Sequence, residues 1–246
     1  MRYILCGIIM WCGVALGGTI DPNVSDQQYL EYAKDFVYVG QLQGQTKTDS
    51  TFYASAVAID DDHILTAAHV IQDSKSCSFI LNNKKYTITE FVYPKEFNSD
   101  DTFGYYDIAL GYNEEKFKLT FYPELYSDND EIGKVCCISG FGFTGTFNSG
   151  AIRSDNKKRA GSNIVDYIDK HLLICSPTIG KGKTSLEFII ASGDSGGGLF
   201  IDNKLAGINS CVLAIGQKPK SDYATECGHT RISMYIDWIK KHLRPK

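Results

Sequence analysis

Short apolar runs bounded by turn residues dominate the pattern of this chain. Residues 52–59 and 63–66 are β-rich and are separated by Asp60, Asp61 and Asp62, a charged tip of the kind that joins antiparallel strands. Residues 77–81 and 86–93 continue the pattern on either side of Asn82 and Asn83. The runs 172–175, 186–190, 199–201 and 205–210 add further strands, the last two joined through Asp202 and Asn203. Helical spacing appears only towards the ends. Tyr29, Leu30, Ala33 and Phe36 share a face behind Ser25 or Asp26 as cap, which predicts a short docking helix. Ile232, Tyr235, Ile236, Ile239 and Leu243 repeat the pattern, with Ser233 as cap and Lys240, Lys241 and His242 at the negative end of the helix dipole. This second helix is expected to pack on the later strands.

The first residues follow a different rule. Arg2, an apolar run over 4–16 and the small residues Gly17, Gly18 and Thr19 have the form of a secretory signal peptide, with cleavage between Ala15 and Gly18; we place the leader at 1–17. The run is short for a membrane span, an uncleaved anchor being the alternative. The expectation is a secreted or otherwise extracytoplasmic protein without stable membrane association. Cys6 and Cys12 leave with the leader, and the six cysteines that remain suit an oxidising compartment.

Composition narrows the partners. A chain of 246 residues can form one large β domain or two small ones. With 25 basic and 29 acidic residues, a net charge of -4 offers no electrostatic footprint for nucleic acid or an anionic membrane. Peptide or protein substrates remain. The polar, turn-rich segment 123–130 divides the chain, giving an N-terminal extension at 18–36, a first β unit at 37–122 and a second at 131–246 that carries the terminal helix.

Gly193 to Gly198 reads Gly-Asp-Ser-Gly-Gly-Gly and sets Ser195 among glycines. A nucleophilic hydroxyl needs room for an acyl group and backbone NH groups aimed at the developing oxyanion, and glycine permits both. The same residues also build ordinary turns. Upstream lie Thr66-Ala67-Ala68-His69 and Asp107-Ile108-Ala109-Leu110. Alone, His69 could be a satisfied core residue and Asp107 a strand-leading turn residue. The acidic tip with His63 is either a cation site or a solvated turn, and Asn156-Lys157-Lys158-Arg159 reads as a solvated loop open to nicking. His, Asp and Ser follow the chain order of the chymotrypsin triad.

From about Phe52 onward the chain resembles the chymotrypsin-like, or trypsin-family, serine endopeptidases. It looks closer to bacterial or viral members than to animal zymogens, because Val37-Tyr38-Val39-Gly40 follows Phe36 and not a basic activation residue. The resemblance implies an all-β fold of two six-stranded antiparallel barrels with a C-terminal helix, and no metal or cofactor. It assigns His69 as general base, Asp107 as its orienting partner, Ser195 as nucleophile, and the NH groups of Gly193 and Ser195 as the oxyanion hole. Ser210 would support Asp107, and Asp194 would need a partner other than a newly cut N-terminus.

Phe141 stands where a tryptophan is more usual, Gly198 replaces a proline, Val70 replaces a cysteine, and Trp238 matches a common helix tryptophan. The resemblance also places Cys211 and Cys227 on neighbouring strands, making them its first choice for a bridge. Ile189, Ser192, Ser210, Val212 and His229 fall at the primary substrate pocket. Ile189 gives a cation no partner and Val212 narrows the space, so small or medium apolar P1 residues are expected. His229 beside Ser192 could instead select Glu. A catalytically inactive binding or regulatory protein on the same fold, or an esterase, are the competing functions.

Overall fold

The computed structural model describes residues 18–98, 105–214, 216 and 218–244, so the expected leader at 1–17 lies outside the described residues. Strand β1 (Thr19–Ile20) and helix α1 (Asp26–Tyr32) precede the first large sheet. That sheet contains β2 (Val39–Thr46), β3 (Thr51–Ala58), β4 (His63–Thr66), β5 (Ser74–Leu81), β6 (Lys84–Ile88), β7 (Glu90–Val92) and β8 (Ala109–Tyr112), with the single turn of helix α2 (Ala68–Ile71) after β4. The second half supplies β9 (Val135–Gly140), β10 (Thr144–Thr146), β11 (Gly150–Arg153), β12 (Arg159–Ile164), β13 (Tyr167–Asp169), β14 (Leu172–Cys175), β15 (Phe188–Ile189), β16 (Gly198–Ile201), β17 (Lys204–Ala214), β18 (Thr225–Arg231) and helix α3 (Ile236–His242).

Each large sheet has seven strands, ordered β6-β5-β2-β3-β4-β8-β7 and β12-β9-β16-β17-β18-β14-β13. The outermost strands are consecutive in sequence in both cases. The run 86–93, read from sequence as one strand, breaks at Thr89, whose NH donates to Tyr112 O; β6 pairs with β5 while β7 pairs with β8. A strand that bends and serves both edges closes a sheet on itself and leaves no edge to protect. β12 and β13 close the second sheet in the same way. Counting each bent pair as one strand recovers the six-stranded barrels.

Burial follows the alternation. Leu42, Val57, Leu65, Phe79 and Ile108 fill the first barrel, and Ile138, Phe147, Leu173, Phe188 and Leu199 fill the second. The NH of Tyr126, in the segment between the sheets, donates to Leu205 O. No helix among the described residues is long and apolar enough to cross a membrane.

Four local expectations are corrected. The extension at 18–36 is more than a docking helix, since β1 sits between β10 and β15 in a four-stranded sheet ordered β11-β10-β1-β15. Its helix α1 begins at Asp26, and Ser25 before it makes no side-chain cap; the helix is fastened instead by buried Tyr29, whose hydroxyl donates to Glu187 O, and by Asp26, which pairs with Arg159.

Arg159 is not in a solvated loop. It opens β12, is wholly buried, and is gripped by Asp26 and Asp155, while the Lys158 ammonium donates to the Phe36 and Val39 carbonyls. Burial pulls the Lys158 pKa down to about 8. Both side chains are thereby withdrawn from a nicking protease.

Ser233 does not cap α3; its hydroxyl donates to Glu131, which also pairs with Arg231. Finally, Ile232, Tyr235 and Ile239 join a core cluster that spans both barrels, and beyond the helix Arg244 NH donates to His63 Nε2 on the first. The end of the chain therefore crosses from the second barrel to the first. The same bond fixes the His63 tautomer: Nε2 accepts, so Nδ1 carries the hydrogen and donates to the carboxylates of Asp60 and Asp62 at the hairpin tip.

Candidate active site

Three strand ends deliver the three central side chains. His69 lies in the turn of α2 immediately after β4, Asp107 just before β8, and Ser195 on the loop entering β16. Because β4 and β8 are antiparallel neighbours, with Thr66 opposite Ala109, the ends carrying His69 and Asp107 emerge together. His69 Nδ1 lies 2.7 Å from Asp107 Oδ2, and His69 Nε2 lies 3.0 Å from Ser195 Oγ. The backbone NH of His69 also donates to Asp107 Oδ1 at 2.8 Å. An ionised Asp107 only accepts, so Nδ1 carries the hydrogen and Nε2 is free to take the Ser195 proton.

Asp107 is buried and held from several sides. Ser210 Oγ donates to its Oδ2 at 2.6 Å, as the resemblance implied, and Thr230 Oγ1 donates to its carbonyl at 2.8 Å. Burial alone would raise its pKa, but the charge and hydrogen bonds of His69 with the Ser210 hydroxyl outweigh burial and hold it below the usual carboxylate range. For His69, burial favours the neutral ring, yet the Asp107 charge and hydrogen bond prevail and lift its pKa above the ordinary imidazole value. The preceding residue, Tyr106, adopts φ 60°, rare for a bulky side chain, and its ring packs 4.7 Å from that of His171.

The serine loop is shaped by its glycines and by Ser55. At Gly196, φ is +84° and a Cβ would come within 2.1 Å of Ser55 O and Thr66 Oγ1, so no other residue fits. Ser55 Oγ donates to Gly193 O and accepts from Phe141 NH, while Ser55 NH donates to Ser195 O. Ser192 O accepts from Phe143 NH at 2.8 Å. A trans peptide points its N–H opposite its carbonyl, so this bond turns the Gly193 NH away from Phe143. The Gly193 and Ser195 NH groups donate to no other described residue, as an oxyanion hole requires.

Asp194 is buried with its carboxylate accepting from Gly142, Ala191 and Gly18 NH groups at 2.7, 2.9 and 2.9 Å. Burial dominates and pushes its pKa up to about 6. The third donor comes from the start of the chain: β1 brings the Gly18 amide to Asp194. Gly18 has φ +33° and a Cβ there would fall 1.8 Å from Phe188 Cζ.

The pocket residues divide. Ser192 is exposed, and Val212 is half-buried. Ile189 is fully buried in β15, with Thr19 as its register partner. His229 is also fully buried: Nδ1 lies 2.8 Å from Asn209 Oδ1 and Nε2 lies 3.3 Å from Cys227 Sγ. Neighbouring side chains therefore occupy both of its nitrogens. Cys211 and Cys227 are not bridged. A bulge between Asn209 and Cys211 sets Cys211 opposite Gly228 and Val212 opposite Cys227, so the two sulfurs leave the ribbon on opposite faces.

Sequence reasoning passed over Gly18, Ser55, Asn209 and Thr230. Gly18 carried a signal only as part of a cleavage site, and Ser55, Asn209 and Thr230 sit in strands where a single polar residue looks like ordinary alternation.

A Ser-His-Asp constellation with an oxyanion cradle, placed where strand ends of two closed antiparallel barrels meet, defines a serine hydrolase. The trypsin family model matches residues 28–239, and the chain belongs to that family, as a serine endopeptidase. Solved structures that share its fold include HL collagenase, 20% identical with a TM-score of 0.68 over 84% of this chain and 93% of that one, and neuropsin, a serine protease expressed in the limbic system of mouse brain, 20% identical with a TM-score of 0.67 over 84% and 94%. No curated protein sequence matches significantly.

Proposed function

We propose that the protein is a secreted endopeptidase that cleaves peptides through an acyl-enzyme, after small or medium apolar P1 residues. The observation that carries the chemistry is the unbroken line from Asp107 Oδ2 through His69 to Ser195 Oγ. In the first step Ser195 Oγ bonds to the scissile carbonyl carbon, its proton passes to His69 Nε2, and the oxyanion settles on the NH groups of Gly193 and Ser195. Collapse breaks the peptide bond as His69 returns the proton to the leaving amine. Water then repeats the sequence on the ester. An inactive binding role would leave such a line without purpose.

The P1 preference rests on Val212 and Ser192, the two pocket positions that reach the surface. Neither offers a counter-charge, and burying an unpaired Lys, Arg or Glu side chain costs several kcal/mol. Glu selection by His229 is set aside because both its nitrogens are engaged in the barrel interior. A peptide library read by mass spectrometry is expected to show cuts after Ala, Val or Leu; dominant cuts after Lys, Arg or Glu would overturn the preference, and turnover of esters alone would overturn the peptidase reading.

A further inference from the structure

Inside the second barrel, three cysteines approach one another with no part in the chemistry above. Cys136 on β9, Cys175 at the end of β14 and Cys227 on β18 are all fully buried. Cys136 Sγ lies 3.8 Å from Cys175 Sγ, although β9 and β14 are separated in the sheet by β16, β17 and β18. The contact therefore runs across the barrel interior. The remaining cysteines stand elsewhere: Cys77 is in the core of the first barrel, Cys137 takes a hydrogen bond with Tyr32, and Cys211 lies beside Gly228.

Geometry separates the two partners available to Cys175. Cys227 is its direct register partner on the adjacent antiparallel strand. Residues so placed keep Cβ atoms about 4.5–5.5 Å apart, wider than the roughly 3.8 Å of a relaxed disulfide. Cys227 is also engaged, its thiol reaching Cys175 O at 3.4 Å and His229 Nε2 at 3.3 Å. Cys136 is limited by no ladder spacing. Its thiol makes a long contact of 3.5 Å to Asn163 O, and its sulfur already lies 3.8 Å from that of Cys175.

We propose that Cys136 and Cys175 are joined by a disulfide when the chain folds under oxidising conditions, stapling the second barrel through its core, with Cys227 kept as the thiol partner of His229. Both sulfurs are sealed from solvent in the folded molecule, so the bond closes while the barrel assembles. Each thiol gives up its proton, and together they pass two electrons to a small-molecule disulfide such as glutathione disulfide, which departs as two thiols. The bond ties β9, which runs to the Gly140–Gly142 turn over Asp194, to the strand leading into the loop before β15. It rests on the export part of the function above, but the assay reads sulfur and not turnover, so the two fail separately.

The test is the full-length protein secreted from an oxidising host, with a second sample refolded in glutathione redox buffer, both alkylated with iodoacetamide and mapped without reduction. A peptide pair linked through Cys136 and Cys175 is expected in wild type and in Cys227→Ala. Alkylation of both Cys136 and Cys175, or a Cys175–Cys227 link in wild type, overturns the proposal. Closing a loop of this length is expected to raise Tm by on the order of 10 °C. Dithiothreitol should remove that increment in wild type and leave the Tm of Cys136→Ala unmoved; an equal drop in both variants would also overturn it.

Discussion

A histidine serves as general base only while neutral, and the Asp107 carboxylate at 2.7 Å works against that by stabilising the charged ring. The pH dependence of kcat/KM is therefore expected to show an acid limb with its midpoint above the ordinary imidazole value of 6.5. A midpoint below about 6 would mean that burial and not Asp107 governs the ring. The stability signs follow from the same shifts. The raised His69 contributes stability that is complete below its unfolded pKa and lost as pH rises through its folded one; the depressed Asp107 contributes above the unfolded carboxylate value and loses it as pH falls through its own. At this scale the triad was legible, because His69, Asp107 and Ser195 each sit in a short stretch whose neighbours announce the chemistry. The pocket was not. Ile189 was placed by counting back from Ser195, and counting gives a position without saying which face of the sheet the side chain takes.

Among the elements, β1 changes the account most. Two residues, Thr19 and Ile20, insert between β10 and β15 and carry the Gly18 nitrogen to Asp194. So short a strand leaves no periodic trace, and its sequence reads as the tail of a leader. With Gly18 as an ordinary amide, the raised Asp194 pKa favours folding when the carboxyl is protonated; that stability is full below 3.8 and is lost as pH rises through about 6. A leader ending at Gly17 would place an ammonium at Gly18 and reverse this sign. The proposed export predicts a mature protein that begins at Gly18 by N-terminal sequencing. A form that retains Gly17 before it should lose roughly 100-fold in kcat/KM, by the usual cost of an unpaired buried charge. Full activity with Gly17 in place would show that Asp194 needs no ammonium.

Across the whole molecule, alternation in the short runs fixes an all-β architecture, but it cannot say where a strand bends to close a barrel. Thr89 marks such a bend inside a run that reads as continuous. The terminal helix shows the same limit, for the spacing of Ile232, Tyr235 and Ile239 reveals an apolar face and not the barrel it meets. Only the tertiary structure shows α3 in a core cluster that spans both barrels, with the chain after it reaching His63. The central claim is that these two barrels hold one activated serine. Its most direct measurement is labelling with a fluorophosphonate probe, followed by mass spectrometry of the modified peptide, on wild type, Ser195→Ala and His69→Ala. The account predicts a single adduct on Ser195 in wild type, loss of both adduct and peptidase activity in Ser195→Ala, and labelling slowed by at least about a thousandfold in His69→Ala with the fold intact. Peptidase activity that survives Ser195→Ala, or an adduct on another residue, would contradict it.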